Sequence, residues 1–434
     1  MPQAHNSSGD GHVAERMIHT GYPRKALSMQ RISQKIIVMG LGYIGLPTAS
    51  MLATKGHNVL GVDVNETAVA TINSGRIHII EPDLDILVRS AVNSGNLKAS
   101  LVPEEGDTFI IAVPTPFMKI DGNSKAPDLS YVEAATRAIA PYLREGNLVI
   151  LESTSPVGTT ELLYKIIIES RSELVGKIQV AHCPERVLPG HILRELVDND
   201  RIVGGLTKAA NEQAKELYKS FCNGAIFLTD SKTAELSKLV ENSFRDVNIA
   251  FANELSMVCD HLGINVWETI TLANRHPRVN ILQPGPGVGG HCIAVDPWFV
   301  VSSAPKQARL IRTAREVNDA KPQWVIDKIK VKAARFKEPV IGCLGLTFKA
   351  DIDDMRESPS FDIVKLLMAE NVGEILVCDP NVHASKVNFP LYDLKQVLKE
   401  ADILLLLVDH AEFKEIDFDA IKDKVVIDTK GVLR

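Results

Sequence analysis

Short apolar runs alternate with amphipathic stretches along most of the chain, predicting strands over 35–39, 58–62, 108–113, 148–152, 178–182 and 201–203. Helices are predicted between several of them, over 46–55, 67–74 and 131–142. Such alternation builds a doubly wound parallel sheet with helices on both faces. The pattern changes near residue 233. From 233 to 262, apolar Leu236, Leu239, Val240, Phe244, Val247, Phe251, Leu255, Val258 and Leu262 cluster on one side of a single long helix. Helical pattern resumes over 305–318 and 322–336. The last hundred residues return to alternation, with strands over 340–344, 375–378, 403–407 and 425–427 and helices over 359–370 and 394–400. Residues 1–32 are polar, rich in His, Ser and Gly, and lack periodicity, which predicts a disordered extension outside the fold.

The first strand runs directly into Gly40-Leu41-Gly42-Tyr43-Ile44-Gly45, the spacing of a dinucleotide-binding turn. Gly40 permits the tight turn, Gly42 lets backbone approach a pyrophosphate, and Gly45 lets the following helix pack on the strand. The second strand ends in Asp63, eighteen residues past Gly45, where an acid binds ribose hydroxyls and repels a 2′-phosphate. NAD is therefore expected rather than NADP. Thr115 and Thr154 each follow an apolar strand, at the sheet edge where ligands bind, although Ser, Thr and Pro also favour strand ends as turn formers. The expected fold class is α/β: two Rossmann-like doubly wound sheet domains joined by a central helical region with a long helix. The boundaries are an NAD-binding domain at 33–215, a central helical and dimerisation domain at 216–325, and a C-terminal domain at 326–434.

Chemistry enters at Gly285-Pro286-Gly287-Val288-Gly289-Gly290-His291-Cys292, followed by Asp296. A glycine-rich loop lets backbone crowd a ligand while the cysteine faces it. Thiolate attack on an aldehyde gives a thiohemiacetal, and loss of hydride from that gives a thioester. On the long helix Lys238, Asn242 and Arg245 share a stripe opposite the apolar one, either a solvated polar face or a group that stabilises an oxyanion. Glu185-Arg186, Arg275-His276-Pro277-Arg278, Phe348-Lys349 and Lys430 add cationic positions beside turns, suited to a diphosphate. The net charge of −6 argues against nucleic acid held by bulk charge. No apolar run reaches membrane-span length, and the six cysteines include no Cys-x-x-Cys pair. A cytoplasmic protein with reduced thiols and no metal site is expected.

These motifs, taken in order, closely resemble the UDP-glucose/GDP-mannose 6-dehydrogenase family. The resemblance runs from about 35 to 434 and is dense at 40–48, 152–158, 183–190, 241–254 and 273–298, with Arg-Glu-Ser-Pro-Ser at 356–360. The 273–298 run resembles the N-acetylmannosamine branch; glucose-specific relatives typically carry Gly-Phe-Gly-Gly-Ser-Cys there. The resemblance implies Cys292 as nucleophile and Lys238 as the group assisting proton transfer and holding the oxyanion. It implies Asn242 on the substrate hydroxyl, Asp296 in thioester hydrolysis and Glu185 as acid/base. A second carboxylate, which glucose-specific relatives place four residues later, is absent because Pro189 stands there. NAD would meet Gly40, Gly42, Tyr43, Ile44, Gly45, Asp63, Thr115, Thr154 and Arg356. Arg186, Val187, Lys238, Asn242, Arg245, His276, Arg278, Gly289, Phe348, Lys349 and Lys430 would hold a UDP-sugar. The implied reaction is four-electron oxidation of UDP-N-acetyl-D-mannosamine at C6 by two NAD+, in a homodimer or larger assembly feeding a surface polysaccharide. Rival readings are another nucleotide sugar such as UDP-N-acetylglucosamine, a two-electron 3-hydroxyacid dehydrogenase, and an inactive ligand sensor.

Overall fold

The computed structural model describes residues 33–118, 125–188, 190–290 and 292–433. The extension expected at 1–32, Pro189 and His291 lie outside these residues. Twelve strands form two sheets among the described residues. The first sheet contains β1 (Lys35–Met39), β2 (Asn58–Val62), β3 (Leu97–Ser100), β4 (Thr108–Ile111), β5 (Leu148–Leu151), β6 (Gln179–His182), β7 (Arg201–Gly205) and β8 (Ile226–Asp230). Their order is β3-β2-β1-β4-β5-β6-β7-β8, reversing direction of travel beside β1, where an open α/β sheet leaves a ligand crevice. The inner strands read as unbroken apolar runs because helices cover both faces: Ile36, Ile37 and Val38 are fully buried. One departure from an all-parallel sheet occurs at β6–β7, which pair antiparallel. The sheet also runs past residue 215, through the helix Lys208–Tyr218 and β8.

The second sheet is parallel throughout, in the order β10-β9-β11-β12, from β9 (Val340–Leu344), β10 (Glu374–Cys378), β11 (Ile403–Leu406) and β12 (Val425–Asp428). Between the sheets lies the central helix Ser231–Leu262. Asp230 caps its start by accepting from Thr233 N–H at 3.0 Å, and Gly263 ends it in the left-handed region at φ +69°. Packed along it are the short helix Asp296–Ser303 and a 25-residue helix, Arg309–Ala333, which we term the buttress. Two helices were expected where the buttress stands. It passes through Pro322 unbroken.

The central helix turns its apolar stripe away from the rest of the chain. Its apolar stripe faces outward, with Phe244 70% and Leu262 61% exposed, and Val240, Phe251 and Val258 exposed beside them. Its polar side faces inward: Glu235, Lys238, Asn242, Asp246 and Asn253 are buried. Only Leu239 of the named apolar stripe is fully buried.

Candidate active site

Two turns of the central helix bring Lys238 and Asn242 against the start of the helix Asp296–Ser303. Asn242 Nδ2 donates to Asp296 Oδ2 at 2.6 Å, and all three side chains are less than a tenth exposed. Burial pushes the Asp296 carboxyl up to about 6, against the lowering influence of Lys238 and the Asn242 bond, while Glu241 adds to the rise. Asp296 itself sits where the chain turns into helix, its N–H bonded to the Cys292 carbonyl at 2.9 Å. Cys292 is thus one helical turn from the carboxylate. It is also the exposed cysteine, the other five being buried or half-buried. Protein crowding raises its thiol pKa and Asp296 raises it further, whereas Lys238, Arg245 and Arg356 pull it down.

The glycines ahead of Cys292 are there for close approach. A Cβ on Gly289 would lie 2.4 Å from the Glu357 carbonyl oxygen and 2.7 Å from Phe348 Cβ; one on Gly287 would meet Pro359 at 2.8 Å. Gly290 lies under the Phe348 ring, and Lys430 reaches toward Gly285. The second sheet domain therefore presses directly on the loop that carries the thiol. Lys430 is itself paired with Asp409 at 3.1 Å, and Lys349 is exposed.

At the first sheet the three glycines of the turn differ in what surrounds them. A Cβ on Gly40 would strike Ala112 O at 2.6 Å and one on Gly45 would strike Gly40 O at 1.8 Å, while one on Gly42 would meet nothing within 4 Å. Gly40 and Gly45 serve the turn itself, and the space at Gly42 is a cradle open to a ligand. Asp63 fixes the turn by accepting from Leu41 N–H at 2.8 Å and Asn65 N–H at 2.9 Å, with its side chain only partly buried. The second sheet repeats the device, for Asp379 accepts from Leu346 N–H at 2.7 Å. There, however, His410 covers the acid at 3.2 Å and both side chains are buried. Only the first acid is reachable by a ribose. Thr115 donates to the Thr154 carbonyl at 2.7 Å, joining two strand ends, and Arg356 stands over the Tyr43 ring at 5.4 Å. These contacts bring one face of the second domain to the dinucleotide turn, with Ile44 at the turn's exit into the first helix, Gly45–Thr54.

Three models of one family match the chain in succession: its NAD binding domain over residues 34–222, its central domain over 232–320 and its UDP binding domain over 342–434. The chain belongs to the UDP-glucose/GDP-mannose dehydrogenase family. It is 59% identical over 408 residues to an NDP-N-acetyl-D-galactosaminuronic acid dehydrogenase of Ralstonia nicotianae, covering 92% of this chain and 96% of that protein. It is 57% identical over 401 residues to a UDP-N-acetyl-D-mannosamine dehydrogenase of Campylobacter jejuni, covering 89% and 98%. A solved UDP-N-acetyl-mannosamine dehydrogenase of Staphylococcus aureus superposes with a TM-score of 0.80 at 45% identity, covering 92% and 95%. The protein is an NAD-dependent oxidoreductase of nucleotide sugars, and the Gly42 cradle with Asp63 fits the cofactor.

Other family positions are tied into pairs of their own. Glu185 is buried and paired with Arg201 at 2.9 Å, its other oxygen accepting from Arg186 N–H at 2.8 Å. Proton transfer by Glu185 would require that pair to open. Arg186 is held by Glu241 and by the Asp200 carbonyl, each at 2.6 Å, beside an open cavity of about 490 Å³ also lined by Asn199. Val187 follows, half-buried. His276 and Arg278 lie exposed after the helix Val266–Ala273, in contact with each other. Sequence reasoning missed the inward continuation of the Lys238–Asn242 stripe, through Glu235, Asp246 and Asn253. Their spacing from Lys238 and Asn242 marked the same helical face.

Gly42→Ala should fold as wild type but lose the thermal stabilisation that NAD gives, because the added methyl takes the pyrophosphate's space; undiminished stabilisation by NAD would refute that placement. Alkylation of Cys292 by iodoacetamide should rise with pH into the alkaline range. Asp296→Asn should shift this profile to lower pH and Lys238→Met to higher pH, and shifts of opposite sign would contradict the assigned electrostatics.

Proposed function

We propose that the enzyme oxidises C6 of UDP-N-acetyl-D-mannosamine from alcohol to carboxylate through a covalent bond to Cys292. The observation carrying this reading is that the exposed thiol stands one turn from a buried Lys–Asn–Asp group. NAD+ supplies the hydride acceptor for both oxidations when bound. The alcohol first loses its hydride to that acceptor and its hydroxyl proton to water, leaving an aldehyde. Cys292 Sγ then adds to C6, and the oxygen becomes an oxyanion beside the Lys238 ammonium, which gives it a proton. As the second hydride leaves, Lys238 takes the hydroxyl proton back and the thiohemiacetal becomes a thioester. Water adds, assisted by Asp296, the C–S bond breaks, and the acid leaves with the thiol restored. A donor at the oxyanion is typically worth about 3 kcal/mol. Asn242, fixed by Asp296, would orient the substrate hydroxyl.

The sugar assignment rests on the relatives named UDP-N-acetyl-D-mannosamine dehydrogenase, at 53–57% identity. A second reading, a substrate of galactosamine configuration, is favoured by the Ralstonia relative at 59%. Turnover of the two UDP-sugars and of UDP-N-acetylglucosamine, compared side by side, decides among them. Arg186, Val187, Arg245, His276, Arg278, Gly289, Phe348, Lys349 and Lys430 would hold the UDP-sugar, and a product of this kind would feed surface polysaccharide synthesis in the cytoplasm. Wild type should yield two NADH per sugar, and Cys292→Ser should stop at or before one. Two NADH without the thiol would eliminate the covalent route.

The outward stripe of the central helix, about 48 Å long at 1.5 Å per residue, is the surface on which a second copy would pair. Its apolar side chains are otherwise left in water. Phe244→Glu should halve the mass measured by light scattering, and an unchanged mass would place the contact elsewhere.

A further inference from the structure

The loop bearing Cys292 is tied at both ends to one buried polar seam between the central helix and the buttress. At its start, Gly285 N–H donates to Asn253 Oδ1 at 2.8 Å. At its end, the Ile293 carbonyl accepts from Arg315 Nη1 at 3.4 Å. The two ties are linked through side chains alone. Asn253 Nδ2 donates to Asn318 Oδ1 at 2.8 Å, and Asn318 Nδ2 donates to Asp246 Oδ1 at 2.8 Å and to the Asp246 carbonyl at 3.0 Å. Arg315 closes the chain by pairing with the same Asp246 oxygen, and holds Asp319 with its other nitrogen at 3.0 Å. Asp246, Asn253 and Arg315 are fully buried and Asn318 is 1% exposed.

A seam of this kind is poorly explained by stability alone. Well-packed apolar residues in place of a buried ion pair usually hold helices together as well or better. What apolar residues cannot do is grip backbone N–H and C=O groups of a loop in one register. Asp246 lies one turn beyond Asn242, so the seam continues the helix face that carries Lys238 and Asn242. The thiol loop is thereby referenced to the same rigid face as its catalytic partners. We propose that Asn253 and Arg315 are positioning residues that hold the Cys292 loop over Lys238 and Asn242 during the covalent steps. The inference rests on the nucleophilic role of Cys292 given above.

Asn253→Leu and Arg315→Lys test it, with the full-length enzyme, NAD+ and the UDP-sugar. Capture of the aldehyde should suffer while its formation does not. The first hydride transfer is expected within about threefold of wild type, and the second slowed on the order of tenfold or more. NADH per sugar falls from two toward one, and hydroxylamine traps free aldehyde. Alkylation of Cys292 at fixed pH becomes faster as the loosened loop frees the thiol from the crowding that raises its pKa. Asn253→Asp, which keeps the acceptor for Gly285 N–H, restores the second step. Should Asn253→Leu fail to fold, Arg315→Lys carries the same readouts. Wild-type values for both the hydride ratio and the alkylation rate would overturn the proposal, as would equal slowing of both hydride steps. A wild-type yield of one NADH would instead defeat the nucleophile reading, and the alkylation rates would still decide whether the seam holds the loop.

Discussion

A long helix that turns its amides and charges inward sets the terms for everything packed on it. Each buried polar group left without a partner costs roughly 1–3 kcal/mol, so the elements facing the central helix must supply partners. They do so at successive turns. Glu235 reaches the first domain, accepting from Gly158 N–H at 2.6 Å and from Thr160 N–H at 2.7 Å, which caps the helix Thr159–Ser170 next to the loop of Thr154. Asn242 takes Asp296, Asp246 takes the buttress through Arg315, and Asn253 takes the thiol loop at Gly285. One helix face thereby fixes the dinucleotide side, the Cys292 loop and the buttress in a common frame.

The second domain enters that frame through glycine. With Phe348, Pro359 and the Glu357 carbonyl pressed against residues 287–290, no side chain larger than hydrogen fits at Gly289. Glu357 adopts φ +49° at this contact, a left-handed conformation uncommon for a residue with a Cβ. The domain that matches the UDP-binding family model therefore touches the Cys292 loop directly. Geometry at the nucleotide end of a substrate and geometry at the thiol are mechanically close.

Local signals carried much of this organisation. The strands at 35–39 and 58–62 and the glycine turn between them are written in contiguous residues, where apolar runs and turn chemistry act over a few positions. β3 and β8 were not marked, because Leu97–Ser100 alternates buried and exposed residues over only four positions, and no residue of Ile226–Asp230 is fully buried. The apolar stripe of the central helix was legible as a stripe, but its covering surface was not. Periodicity shows that a face is apolar, and not whether the chain itself or another surface covers it. Lys238 and Asn242 were legible through family resemblance and stripe geometry, whereas Arg315 and Asn318 were not, their partners lying some seventy residues away on another helix. The Glu185–Arg201 pair was hidden likewise, since nothing in the local sequence shows that the two side chains would be buried together.

The proposed chemistry turns on the sulfur of Cys292 bonding to the oxidised sugar carbon beside the inward face of the helix. Asp296→Asn enzyme, mixed with UDP-sugar and NAD+ and then acid-quenched, gives the direct reading by mass spectrometry of its peptides. The expected result is a peptide containing Cys292 that carries the mass of the sugar nucleotide as a thioester, absent when Cys292 is also replaced by Ser. Continued production of the sugar acid with the Cys292 peptide unmodified at every quench time would contradict it.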